Sequence, residues 1–398
     1  MDTFQIRCER MTLDFESAQV LLNEALDEAV GLVAARAAVA LFVSAFHKGC
    51  DTSNSAHVDT ALRVWALALE RLSTRQVAFE DSISSIRLHL ADLLEMNEDW
   101  GEAAKVLMGV PLDSGHRQIE NVFKLSIYVR IVRLLLEEDD SVAAESYLNR
   151  ASLLISATDA ASLASASQQE QLLTVQFRAS QARLFDFKRS FLQAAQKYLS
   201  LSYLMLMAES ERVVCLVQAV TCAILAPAGP QRSRLLATLY KDDRVRENAE
   251  LSTVFYPILE KVYLDRILRT SEIDGFRETL KPHQLAKLSD GTTVLDRAVI
   301  EHNVLAASKI YTTIRFTELG SLLGVTDAYA AEMVVSRMIG EGRVEGQIDQ
   351  IEGLVYFYEG RGEDLLAAGI RGVCEQVDVL VDEVMKRNPA WVKDQMVA

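Results

Sequence analysis

Phe316-Thr317-Glu318-Leu319-Gly320-Ser321-Leu322-Leu323 passes through Gly324-Val325-Thr326 into a run from Asp327 to Glu341, and this stretch decides the fold. Its first eight residues form an amphipathic turn and helix. In the second run Ala330, Met333, Val334 and Met338 recur at helical spacing and make an apolar stripe. Gly342-Arg343 follows, then two β-type runs, Val344 to Ile348 and Leu354 to Tyr358, with a turn at Glu352-Gly353. Helix, turn, helix and hairpin in that order, from Ile314 to Tyr358, predict a winged helix. That shape commonly reads DNA, but its charge here is wrong for the task. Three basic residues (Arg315, Arg337, Arg343) stand against seven acidic ones, a net of −4. Duplex DNA carries about one negative charge per 1.7 Å and is held by cations. An acidic winged helix therefore points to protein assembly.

Working outward, the whole chain has the same bias. Its 398 residues suffice for two or three domains with sizeable cores. Half of them are hydrophobic, with only 6 Pro and 18 Gly, which predicts a mostly helical protein. The net charge of −15 disfavours nucleic acid and anionic membranes as partners. Five scattered cysteines (Cys8, Cys50, Cys215, Cys222, Cys374) form no CxxC pair and fit reduced thiols in the cytosol or nucleus. Met1-Asp2-Thr3-Phe4 lacks the basic and apolar regions of a signal peptide. Val213 to Gln231 is the longest uncharged run; Gln218, Thr221, Pro227 and Pro230 make it a buried helix followed by a loop rather than a membrane span.

Upstream, one pattern recurs: Ala, two variable residues, then two bulky apolar ones. It occurs at Ala61-Val64-Trp65, Ala104-Leu107-Met108, Ala144-Tyr147-Leu148, Ala195-Tyr198-Leu199 and Ala307-Ile310-Tyr311. A small residue lets a neighbouring helix approach, and the bulky pair one turn later fills the groove beside it. The first four starts lie 43, 40 and 51 residues apart, a spacing that fits one helical hairpin per repeat, as in tetratricopeptide-like solenoids. An Ala-rich chain yields such matches by chance as well. Acidic or polar turns ahead of three of them (Asn97–Gly101, Glu137–Ser141, Asp186–Arg189) weigh for the repeat. Gln168 to Phe177 is expected as another helix, and the Ser/Ala-rich Ser156–Ser167 as a connector.

Downstream, a Gly-rich turn (Glu359–Glu363) leads to Leu366, Ile370, Val373, Val377, Leu380 and Val384, which step by four and three in a heptad seam. An isolated helix of this kind is marginal in water, so the seam needs a docking surface. That surface is either the chain's own domain or a multichain bundle, and the bundle is the reading preferred. In the wing, an exposed strand edge is a ready pairing template. Val344, Ile348, Leu354, Tyr356 and Tyr358 are the candidate contacts there.

Catalytic chemistry is not legible. His47, His57, His89, His116, His283 and His302 show no metal-ligand spacing. Glu301-His302-Asn303 has the residue types of an acid/base trio, but adjacent helical residues point in different directions, so a core-edge or capping histidine is the better reading. No P-loop, GxGxxG or GxSxG element occurs. No enzyme activity, metal or cofactor is expected. The basic cluster Arg232, Arg234, Lys241, Arg244 and Arg246 reads as a solvated helix face or a patch pairing with an acidic partner subunit, ahead of an anion or RNA site. It lacks the interleaved aromatics of a single-strand nucleic-acid site.

Helical repeats running into a winged helix and a long terminal helix resemble the PCI family, scaffold subunits of the proteasome lid, the COP9 signalosome and a translation initiation complex. Individual phrases resemble its signalosome branch most: Ile224-Leu225-Ala226-Pro227-Ala228-Gly229-Pro230-Gln231-Arg232-Ser233-Arg234-Leu235, Tyr263-Leu264-Asp265-Arg266-Ile267, Leu295-Asp296-Arg297-Ala298-Val299-Ile300-Glu301-His302-Asn303 and Gly346-Gln347-Ile348-Asp349-Gln350-Ile351. Ile86–Ala91, Glu98-Asp99-Trp100 and Asn149–Leu154 add to it. The resemblance spans about residues 75–358 and is poor before that. Arg315 stands where a capping Ser or Thr is expected, leaving Thr317 as the candidate cap, and the Ser156–Ser167 connector is longer than usual.

The resemblance implies a tetratricopeptide-like arm over 1–200, the helical part of a PCI domain over 201–312, the winged helix over 313–359 and a bundle helix over 360–398. It implies a non-catalytic subunit in cytoplasm and nucleus, bound to other PCI subunits and to a JAMM metalloprotease subunit. That complex removes NEDD8 from cullins, and the arm would face the neddylated cullin–RING ligase. The zinc pattern of a JAMM protease, HxH plus an acid, is missing here. A proteasome-lid subunit is the first alternative. A winged-helix nucleic-acid factor and a self-contained enzyme follow.

Overall fold

Three turns of identical build organise the first part of the chain. Helix α4 (Glu80–Met96) gives way to α5 (Trp100–Met108), α6 (Asn121–Glu137) to α7 (Ser141–Thr158), and α8 (Gln168–Phe187) to α9 (Phe191–Ser202). Each connection is three residues long, and its middle residue is left-handed: Glu98 (φ 63°), Asp139 (φ 63°) and Arg189 (φ 59°). The next N–H reaches back to an earlier carbonyl in every case: Asp99 to Leu94 (3.0 Å), Asp140 to Leu135 (2.9 Å) and Ser190 to Phe185 (2.9 Å). This is the Schellman closure, which satisfies carbonyls stranded at a helix end. Five residues after the left-handed one lies a buried alanine (Ala103, Ala144, Ala194), and nine after it a buried bulky residue (Leu107, Leu148, Tyr198). Each helix packs against its hairpin partner.

The alanine pattern in the sequence marks these hairpins to within one residue, since it picks out Ala104, Ala144 and Ala195 where the turns align Ala103, Ala144 and Ala194. Ala61, Ala104, Ala144 and Ala195 are all buried, as are Trp65, Leu107, Leu148 and Tyr198. The fifth match fails: Ala307 is buried, but Ile310 and Tyr311 are exposed at the end of their helix.

The computed structural model describes residues 15–27, 30–50, 55–112, 119–158, 168–248, 251–287, 291–325 and 327–358, with 370, 373, 374, 376, 377, 380 and 387. The chain divides into two units between Cys222 and Ala223. In the first, α1 (Phe15–Ala25), α2 (Leu32–Gly49) and α3 (Ser55–Ser73) precede the hairpins. Helix α2 is long and apolar enough to cross a membrane by length and composition. Its Val39, Phe42 and Phe46 are instead fully buried, and the Phe46 ring meets Trp65 of α3 edge-on at 4.9 Å. Ser156–Thr158 continue α7, while 159–167 of the expected connector lie outside the described residues.

The uncharged run after Val213 forms most of α10 (Glu209–Leu225), with Leu216, Ala219, Val220 and Cys222 buried. In the second unit α11 (Pro230–Tyr240), α12 (Asp243–Glu247), a π-helical turn (Leu251–Phe255), α13 (Tyr256–Tyr263), α14 (Thr270–Glu278) and α15 (Val294–Ile310) lead to the winged helix. The basic cluster here is solvated only in part: Arg234, Lys241 and Arg246 are exposed, and Arg232 is not. Arg232 is buried, and its guanidinium donates to the carbonyls of Ala223 (3.0 Å) and Ile224 (2.8 Å). Those are end-of-helix carbonyls that need donors, which is why a cation is tolerated inside. Arg244 pairs with Asp242, and Arg246 lies over the rings of Tyr240 and Tyr256.

Candidate subunit interface

The winged helix comprises β1 (Thr313–Arg315), α16 (Phe316–Leu323), α17 (Ala328–Gly340), β2 (Gly346–Asp349) and β3 (Leu354–Phe357). The sheet is antiparallel in the order β1-β3-β2. Strand β1 is absent from the sequence reading: three residues are too few for an alternation to show. Gly324 ends α16 at φ 73°, with the Val325 N–H on the Gly320 carbonyl at 2.9 Å. Gly346 is required by closeness, since a Cβ there would lie 2.6 Å from the Tyr356 carbonyl oxygen. Thr317 does not cap α16. The helix begins at Phe316, and the Phe316 N–H donates to Gly353 in the wing turn (3.0 Å).

Behind the sheet, Ile314, Phe316, Leu319, Leu323, Ala331, Val335, Met338, Val344, Val355 and Phe357 form one core. The buried side of α17 is therefore Ala331-Val335-Met338. Of the stripe read from sequence, only Met338 is fully buried, and Met333 is 54% exposed. The doubled residues Ala330-Ala331 and Val334-Val335 allow two stripes one residue apart, and packing selects the second.

This module is joined to α15 through Glu301. Its carboxylate is buried and accepts a forked pair from Arg343 and a bond from Arg297 (2.9 Å), with Arg337 at 3.7 Å. Burial alone would raise the Glu301 pKa; the hydrogen bonds from Arg343 and Arg297 outweigh it and hold the carboxyl below its ordinary range. The neighbours complete the seam. His302 Nε2 donates to the Arg266 carbonyl (2.9 Å), and burial together with the Arg232 cation pushes its pKa down to about 4. The Asn303 amide accepts from the Leu268 N–H (2.8 Å) and donates to the Leu268 carbonyl (2.9 Å). The trio is internal wiring, with all three side chains committed to the chain itself.

Two of the three cations of the winged helix, Arg337 and Arg343, turn inward to Glu301. Arg315 is left as its one exposed cation among the described residues, against exposed acids that include Glu318, Asp327, Glu345 and Glu352.

The structure sorts the candidate contacts of the wing. Val344 is buried in the module's own core, and Ile348 packs half-buried on that core. Leu354 and Tyr356 lie on β3, the middle strand, whose backbone is paired on both sides. They are not edge residues. The sheet's outer strands are β1 and β2, and Tyr358 is exposed, its hydroxyl donating to Gln347 (3.0 Å). In the terminal seam Ile370, Val373, Val377 and Leu380 are helical and 48–60% exposed, whereas Leu366 and Val384 lie outside the described residues. Ile351 at the wing tip (95% exposed) and Tyr329 on α17 (65%) escaped the sequence reading. No periodicity marks a lone apolar residue in a turn. Among the described residues no cluster of three or more His, Cys, Asp or Glu side chains could hold a metal.

Two family models match: the PSMD12/CSN4 N-terminal model over residues 6–210 and the PCI domain over 277–359. COP9 signalosome complex subunit 4 of Arabidopsis thaliana is 41% identical over 384 residues, covering 94% of this chain and 91% of that protein. This chain belongs to the COP9 signalosome subunit 4 family. The subunit 4 proteins of Dictyostelium discoideum (44%, covering 92% of this chain and 88% of that one) and Drosophila melanogaster (43%, 81% and 76%) agree. Family membership gives the fold its meaning: helical repeats followed by a PCI domain with an acidic winged helix.

Proposed function

We propose that this chain is a non-catalytic scaffold subunit of a COP9 signalosome, acting in cytoplasm and nucleus. Its winged helix and terminal helix fix it among other PCI subunits. Its helical arm faces a neddylated cullin–RING ligase, and a separate JAMM metalloprotease subunit removes NEDD8. One observation carries this most: the apolar seam at Ile370, Val373, Val377 and Leu380 stands open to solvent in the isolated chain. A helix with four such residues uncovered is built to be covered by something else. The winged helix supports the same reading, because the cations a DNA reader would turn outward are spent on Glu301.

The test is the subunit list of the native complex, purified through this chain and read by mass spectrometry. Stoichiometric recovery of PCI subunits with a JAMM subunit is expected, and loss of the chain should accumulate NEDD8-conjugated cullins. Recovery with proteasome-lid subunits, and accumulation of polyubiquitin chains instead, would overturn the assignment. Deneddylase activity from the purified chain alone would overturn its non-catalytic part.

A further inference from the structure

The outer face of α17 and the tip of the wing form one surface. Tyr329 and Met333, one helical turn apart, are 65% and 54% exposed, and Ile351 is 95% exposed. The Gln350 side chain donates to Glu332, the residue beside Met333, and so draws the turn that carries Ile351 to the flank of α17. Asp349 accepts the N–H groups of Ile351 (3.0 Å) and Glu352 (3.2 Å), which fixes the shape of that turn. The three apolar side chains are thus presented by hydrogen-bonded backbone, and none belongs to the strand edges or the terminal seam.

The rim of this surface carries one sign. Asp327 caps α17 beside Tyr329, Glu332 lies between Tyr329 and Met333 on the helix, and Glu352 follows Ile351. Of the module's three cations, Arg337 and Arg343 are held on Glu301, and Arg315 lies on β1 rather than on α17 or the wing turn. Three apolar anchors inside an acidic rim call for apolar residues flanked by Lys or Arg. Anchors one helical turn apart interleave best with side chains spaced three and four apart on a second helix. The chain's own net charge of −15 disfavours a second copy as the occupant.

We infer that the α17–wing face (Tyr329, Met333, Ile351) docks a basic amphipathic helix supplied by another subunit of the assembled complex. The inference rests on the subunit assignment proposed above. It adds a contact that neither the strand edges nor the terminal helix provides.

The experiment places a photo-crosslinking amino acid at Met333 of the full chain, assembles the complex and maps the crosslinked peptides by mass spectrometry. Crosslinks to a helical segment with apolar residues three and four apart and flanking Lys or Arg are expected. Tyr329→Glu and Ile351→Glu, both at exposed positions, should each cut the crosslink yield about tenfold, as loss of an interface anchor does. A complex of normal composition with no crosslink at Met333, or with crosslinks only to acidic or uncharged segments, would overturn the docking and leave the assignment standing. Failure of the wild-type chain to enter the complex would overturn both.

Discussion

Arg343 and Glu301, 42 residues apart in sequence, meet in a forked ion pair that fastens the winged helix to α15. The acid is buried and the guanidinium nearly so, and Arg297 shares the same carboxylate. Removing one partner of such a pair leaves an uncompensated charge inside, at a cost of about 3–5 kcal/mol. Glu301→Gln should therefore lower the stability of the full chain by roughly 3 kcal/mol in urea unfolding. A loss below about 1 kcal/mol would mean the surrounding arginines find water instead.

Acid should loosen the same joint in two steps of known sign. His302 titrates at about 4 in the folded chain against an ordinary 6.5, so the unfolded chain takes up its proton first. Stability should decline as pH falls from 6.5 towards 4, by up to about 3 kcal/mol, and this component then levels off. The Glu301 pKa is depressed, so its contribution is complete above the ordinary carboxylate value and fades as pH drops through the lower folded one. His302→Gln, which keeps a donor for the Arg266 carbonyl, should flatten the upper part of the curve. An unchanged slope between pH 6.5 and 4 would assign it to other groups.

Glu98 and Arg189 are exposed and left-handed. Holding a residue with a Cβ there costs about 1–2 kcal/mol, and glycine avoids most of this at the expense of its greater freedom when unfolded. Glu98→Gly and Arg189→Gly should each raise stability by about 0.5–1 kcal/mol, seen as a higher Tm in calorimetry. A lower Tm would show that side-chain contacts, not backbone shape, hold these turns.

Ala144 is fully buried on α7, which packs against its hairpin partner α6. Ala144→Leu should destabilise the chain by about 1–3 kcal/mol through overpacking, whereas Ala37→Leu on the exposed side of α2 should change little. Equal effects of the two in thermal unfolding would remove the special role of the small residue.

Replacing Val377 and Leu380 by Glu should release the chain from its complex without altering its own melting, because both are already exposed. Each apolar side chain covered in a bundle is worth up to about 1.5–3 kcal/mol. Stoichiometric co-purification of the double variant would show that the seam is not an assembly contact.

Much of this was legible where a signal is local. The helix–turn–helix–hairpin order shows because each element carries its own periodicity and its own glycine, and the alanine repeats show because small residues recur at contacts. What escaped is long-range. Nothing near Glu301 announces Arg343, and nothing near Arg232 says that its charge will be spent on two carbonyls. The misplaced stripe on α17 has a different cause: two adjacent alanines and two adjacent valines leave the helix face ambiguous until the sheet packs against it. Edge and centre of a three-stranded sheet cannot be told apart while β1 is unseen, which is why Leu354 and Tyr356 were expected on a free edge.

The three equal turns of the arm make it divisible in whole hairpins. A chain lacking residues 99–139 would join Glu98 directly to Asp140 and restore a three-residue, left-handed turn. Ala144 would then stand where Ala103 stood, and Leu148 where Leu107 stood. The turn is thus a joint whose register is the same wherever it occurs, so that the helix on one side can be exchanged for its counterpart without shifting the alanine that follows.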